Sequence, residues 1–161
     1  MASPYQNSLF LNIPVADLTR SIAFYTAIGF VKNETFSSPE AGTMSLPPTP
    51  STTGPAAHGG TIKIMLLTYD FYSSFLPPGV QMGDPQKAAQ CIMCLTRESK
   101  EAVDEIAETA AASGGSKDVR EKTAMEKEME KSGMYGRVLR DPDGHIIETV
   151  WMPAENYVGK E

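Results

Sequence analysis

Cysteine is scarce in this chain. Cys91 and Cys94 are its only two in 161 residues. That rules out a disulfide scaffold, fits a reducing compartment, and leads us to expect a cytoplasmic protein. Cationic side chains are outnumbered. Lys plus Arg number 14 against 20 Asp plus Glu, a formal charge of −6. With no basic cluster, the chain is a poor partner for nucleic acid or for anionic membrane surfaces. Long apolar runs are missing too, since none approaches the roughly 18 residues that span a bilayer. The opening Met1-Ala2-Ser3-Pro4-Tyr5 has no basic flank leading into an apolar stretch, so no signal peptide is expected. The core must come from ordinary hydrophobic burial. At this length, a chain hides roughly 68–70% of its unfolded surface.

Two stretches of sequence carry the same order of elements. The first begins with the apolar run Leu9–Val15, which reads as a strand. Asp17 then stands at an N-cap position, and Leu18, Ile22, Tyr25 and Ile28 follow at helical spacing. Gly29 is the stop, with Phe30 placed to fold back on the last turn. Strands are expected over residues 31–36, 43–46 and 61–69. Between the last two lies a Pro-, Gly-, Ser- and Thr-rich stretch, 47–60, which reads as an exposed, mobile loop and leaves His58 in solvent. Residues 70–83 read as a crossing segment. The second stretch opens with an apolar strand at 91–95. A helix capped by Ser99 follows, with Val103, Ile106, Ala107 and Ala110 on its inner face and Gly114-Gly115 as its stop. Weak strand material spans 116–121, and the charged residues 122–131 read as a solvated helical turn or a loop. A strand over 135–140, the Asp141-Pro142-Asp143-Gly144 turn and a final strand over 145–152 complete it. This order predicts an α+β fold: two βαβββ modules, about 8–73 and 88–155, within one domain over 1–161, with a curved mixed sheet and helices on its outer face.

The two ends resemble a known family. The segment from Asn12 to Tyr25, with its Asp17-Leu18 and its Ser21-Ile22-Ala23-Phe24-Tyr25, is similar to the opening of the glyoxalase/bleomycin-resistance/dioxygenase (vicinal oxygen chelate) superfamily. The segment from Tyr135 to Glu148 is similar to its closing hairpin, and Met65-Leu66-Leu67-Thr68 to a glyoxalase-like subgroup. The resemblance implies a small-molecule pocket in a curved sheet and a homodimer. In metal-dependent members four inward His, Gln or Glu side chains hold one divalent cation that acts as a Lewis acid. Carried over without gaps, those positions fall on Phe10, Leu66, Ile92 and Glu148. A slip of one residue would bring in Leu11, Met65 or Leu67, Cys91 or Met93, of which only Cys91 is a ligand type. No metal or other cofactor is expected on this donor set, though a divalent metal stays open.

Glu148 is the candidate catalytic residue. In an apolar pocket its carboxyl would be pushed up toward the range of a general acid or base. As a structural group it would instead pair with a neighbouring Arg. Phe10, Asn12, Leu66, Ile92, Cys94, Tyr135 and Arg137 are the candidate ligand-binding residues, Arg137 doubling as a structural partner for Glu148. Met125, Met129 and Met134 are placed to cap the pocket. Cys91-Ile92-Met93-Cys94 has the letters of a redox motif but lies on a strand, so the two thiols read as buried hydrophobes on opposite faces. Trp151 and Tyr157 are candidates for a partner surface. The functional expectation is binding of a small organic molecule, with metal-independent proton transfer or isomerisation at Glu148. The alternatives are a metal-dependent lyase or isomerase of the lactoylglutathione lyase type, and a non-catalytic, ligand-sequestering resistance protein.

Overall fold

The computed structural model describes residues 7–153. The chain divides into two compact units, residues 1–82 and 83–161. Each holds one four-stranded mixed sheet, in accordance with the βαβββ reading.

In the first unit, β1 (Leu9–Val15), β2 (Val31–Lys32), β3 (Ala41–Ser45) and β4 (Ile62–Thr68) are arranged β1-β4-β3-β2. β1 runs parallel to β4, and the other pairs are antiparallel. Helix α1 (Leu18–Ala27) starts where the Asp17 carboxylate accepts from the Arg20 N–H at 2.9 Å. It ends at Gly29, whose φ of +103° favours glycine, and the Phe30 N–H returns to the Tyr25 carbonyl at 2.9 Å. One face of the sheet is closed by α1. The apolar side chains Ile13, Val15, Ile64 and Leu66 are buried, as are Phe24 and Tyr25 of the helix. Gly42 marks how tightly α1 sits: a Cβ there would lie 2.9 Å from the Ile22 side chain. The expected strand at 31–36 is cut short after Lys32, because Asn33 caps a 3-10 turn, Glu34–Phe36. A short helix, α2 (Tyr69–Ser73), follows β4 in the segment read as a crossing.

The second unit repeats the arrangement. Its strands β5 (Ile92–Thr96), β6 (Ser116–Lys117), β7 (Tyr135–Arg140) and β8 (Ile146–Trp151) are ordered β5-β8-β7-β6, with β5 parallel to β8. Helix α3 (Lys100–Ala112), capped by Ser99, buries Val103, Ile106, Ala107 and Ala110 against a sheet face that carries Leu95, Leu139 and Ile147. The β7–β8 turn is drawn together by Asp141, whose Oδ1 accepts from the N–H groups of Asp143, Gly144 and His145 at 2.8–3.0 Å. The charged stretch at 122–131 is a true helix, α4 (Ala124–Lys131), secured by a reciprocal capping box between Thr123 and Glu126. Among the described residues no helix is long and apolar enough to cross a membrane.

Candidate functional site

Each sheet has one face closed by α1 or α3, and an opposite face, here called open, that carries a cavity. Strand alternation decides which side chains reach the open face.

In the first unit, Gly42 pairs with Leu66, and Gly42 lies against α1. Leu66 therefore points into the helix-covered core, where it is fully buried. The expectation that Leu66 lines a pocket is corrected to its neighbour: Met65 pairs with Asn12 and Thr43 and faces the open side. Phe10, Asn33, Phe36, Thr43, His58, Lys63 and Met65 line a cavity of about 410 Å³ there. Phe10 is thus part of a cavity wall. Asn12 shares that face through its register partner Met65 but lies outside the cavity lining. The Pro-rich stretch contributes directly. Its 3-10 turn, Gly54–Gly59, carries His58 into the lining, and the His58 carbonyl accepts from Lys63 Nζ at 2.8 Å. Close backbone approach pins the end of the stretch, for a Cβ on Gly60 would lie 1.8 Å from the Leu46 carbonyl oxygen. His58 is thus half-buried rather than solvated, contrary to expectation.

In the second unit, Cys94 and Val138 both pair with Glu148, which puts these three on the open face. Ile92 shares the face two residues from Cys94 and is exposed, outside the cavity lining. A cavity of about 210 Å³ lies here, lined by Cys94, Val138, Glu148, Val150 and Met152 and by Met129 and Met134 in and after α4. Met125, expected beside them, is 69% exposed and outside the lining. Glu126, Met129 and Glu130 follow one another at helical i, i+3, i+4 spacing, so a single face of α4 supplies all three.

Charges at this rim are ordered in pairs. Arg120 grips Glu126 with two contacts, 2.7 and 2.8 Å, and reaches Glu148 Oε1 at 3.2 Å. The guanidinium beside it holds the Glu126 carboxyl at about 2, down from an ordinary 4.5. Two carboxylates together push the Arg120 guanidinium up, Glu126 more than Glu148. Lys122 pairs with Glu130 and stands 4.8 Å over the Tyr135 ring. Glu148 is about one third exposed (34%). Desolvation first, and then the Glu148 charge, push the Cys94 thiol up.

The remaining candidates separate from this group. Tyr135 and Arg137 border the cavity, but their polar heads turn toward α3. The Tyr135 hydroxyl donates to Asp104 at 2.7 Å. Arg137 binds Asp118 at 2.5 and 3.0 Å, and also Asp104 and Glu108. Arg137 is therefore a structural cation of the helix-covered side, and the residue beside Glu148 is Arg120. Both cysteines are free and exposed rather than buried. Trp151 lies under Lys100, 5.4 Å from ring centre to Nζ, and Tyr157 falls outside the described residues.

Residues 7–45 match the family model of the bleomycin resistance protein-like N-terminal region. A hypothetical protein from S. aureus superposes with a TM-score of 0.65 at 21% identity, over 92% of this chain and 95% of that one. The fold is that of the glyoxalase/bleomycin-resistance/dioxygenase superfamily. A family enzyme of that description from Burkholderia phytofirmans PsJN gives a TM-score of 0.61 at 20% identity, covering 89% and 97%. A mutant of the genomically encoded fosfomycin resistance protein from Listeria monocytogenes, complexed with Mn(II) and 1S,2S-dihydroxypropylphosphonic acid, gives 0.58 at 16%, covering 99% and 98%. A comparison with curated proteins finds no match.

The cation that the superfamily resemblance implies does not fit the residues present. With the register corrected, its four positions carry Phe10, Met65, Ile92 and Glu148, and only one of these is a hard oxygen donor. Among the described residues, no three His, Cys, Asp or Glu side chains cluster as a metal site.

Proposed function

We propose that this protein binds a small, mainly apolar organic molecule beneath α4, with a neutral or singly cationic polar end near Glu148. The cavity lined by Met129, Met134, Met152, Val138 and Val150 carries the reading, because unbranched thioethers adapt to ligand shape while excluding water. Its volume of about 210 Å³ suits a molecule of one or two rings. At the rim, the cations Arg120 and Lys122 face the anions Glu126, Glu130 and Glu148, so two charges against three leave one net negative. That balance disfavours an anionic ligand. The fold's occurrence in a fosfomycin resistance protein supports binding of a small molecule as the shared use of the scaffold.

A second reading rests on Glu148 itself. It is a half-buried carboxylate with an apolar wall and a single cationic partner, able to accept or donate a proton once a ligand displaces Arg120. Glu148→Gln separates the two readings because it keeps shape and hydrogen bonding. Binding of 2-naphthylmethylamine, followed by calorimetry, should weaken several-fold in this variant if the carboxylate only holds the ligand. Unchanged affinity together with lost turnover of a converted ligand would favour the acid/base role. No binding by the wild-type chain would count against both.

A further inference from the structure

We infer that the first unit holds a second ligand site, specific for an aromatic carboxylate, on the open face of its sheet. This inference is independent of the cavity under α4. The 410 Å³ space contains a cation without an acid: among the described residues, no carboxylate pairs with Lys63. Lys63 Nζ donates to the His58 carbonyl at 2.8 Å and to Ser45 Oγ at 3.3 Å and stands 6.0 Å from the Phe10 ring centre, which leaves one of its three protons for a ligand. His58 belongs to the same lining. Its Nδ1 is buried and has no hydrogen-bond partner. A buried, unpaired ring nitrogen is costly and points to a group that satisfies it. A carboxylate accepts from both Lys63 Nζ and a protonated Nδ1, satisfying the nitrogen and neutralising the ammonium together.

The rest of the lining specifies the ligand's body. Phe10 and Phe36 leave 51% and 70% of their surfaces open, and Met65 lies on the strand that carries Lys63. Two rings and a thioether make a slot for a flat, polarizable group. Thr43 is taken, since its hydroxyl donates to the Phe36 carbonyl at 2.7 Å, so the slot offers few other polar contacts. Head and slot together favour an aryl carboxylate over a phosphate ester, which would need more donors than Lys63 and His58 provide.

The test uses the full-length protein and 2-naphthoate, with neutral 2-naphthylmethanol as the matched control. Binding is followed by calorimetry and by the methionine methyl and His58 ring NMR signals. The site requires saturable naphthoate binding that is at least tenfold tighter than the alcohol. It also requires shifts at Met65 and His58, and at least tenfold weaker binding in Lys63→Met. His58→Ala, in a loop rather than a strand, should weaken binding about three- to tenfold and serves where Lys63→Met fails to fold. Equal affinity for acid and alcohol, shifts confined to Met129 and Met152, or no binding at millimolar naphthoate would each overturn the inference.

Discussion

The two units share strand order and pairing, yet their open faces carry opposite polar chemistry. Beneath α4, every rim charge has a partner and the balance is slightly acidic. Among the described residues of the first unit, the Lys63 ammonium and the His58 ring nitrogen stand without an acid. Strand alternation fixes which positions face outward in both units, and the side chains there are free to differ because packing against the helix does not constrain them. Their helix-covered faces, by contrast, share an aliphatic centre, Ile13, Val15, Ile64 and Leu66 in one unit and Leu95, Leu139 and Ile147 in the other, with Tyr135 and Arg137 added toward α3 in the second.

The contrast between covered and open faces is sharpest within β4. Leu66→Ala should destabilise the chain by about 2–5 kcal/mol, the usual range for a cavity in a packed core. Met65→Ala, one residue away, should cost far less stability in the same urea titration but weaken naphthoate binding. Equal destabilisation by both would break the assigned parity.

Next in size is the ion network that docks α4. Arg120→Met should cost about 1 kcal/mol or less, since its groups are a third exposed. The same variant should return the Glu126 carboxyl toward 4.5 in a carboxylate NMR titration. The native pH dependence follows from that lowered value. A carboxyl depressed from 4.5 to about 2 contributes stability that is complete above 4.5 and lost as pH falls through about 2. The Met129 methyl signal should therefore broaden or shift between roughly pH 4.5 and 2, while the Met65 signal, in the unit lacking this network, should not follow that titration.

Comparable in size, Thr123→Ala removes the capping-box oxygen and should cost about 1 kcal/mol, read as loss of helical signal from α4. Smallest of all, Lys131→Ala at the exposed pair with Glu128 should stay within about 0.5 kcal/mol.

Most of the architecture was legible because periodicity and punctuation agreed. Asp17, Ser99 and Gly29 mark their helix ends where side-chain chemistry demands, and the β7 boundaries coincide with the expected ones. The open-face chemistry was less legible. A one-residue shift in β4 exchanges Leu66 for Met65, and two adjacent apolar residues give no alternation from which to choose. Arg137 shares its strand with Tyr135 and Val138, but its partners Asp104, Glu108 and Asp118 come from α3 and a loop. Arg120 sits in a loop with no local signature. The face of α4 could have been found, because Thr123-x-x-Glu126 is a capping-box pattern and Glu126, Met129 and Glu130 share a helical face. His58 was hidden by composition, since nothing in a Pro- and Gly-rich run announces that Gly60 will press it back against the sheet.

A small molecule in the thioether-lined space under α4 would touch several methionines at once. A titration of the wild-type protein with 2-naphthylmethylamine, followed through the methionine methyl signals, reads this out. Met129, Met134 and Met152 should shift together and saturate, while Met125, exposed on the same helix, stays in place. Shifts at Met125 alone, or none at any methionine up to millimolar amine, would contradict the account.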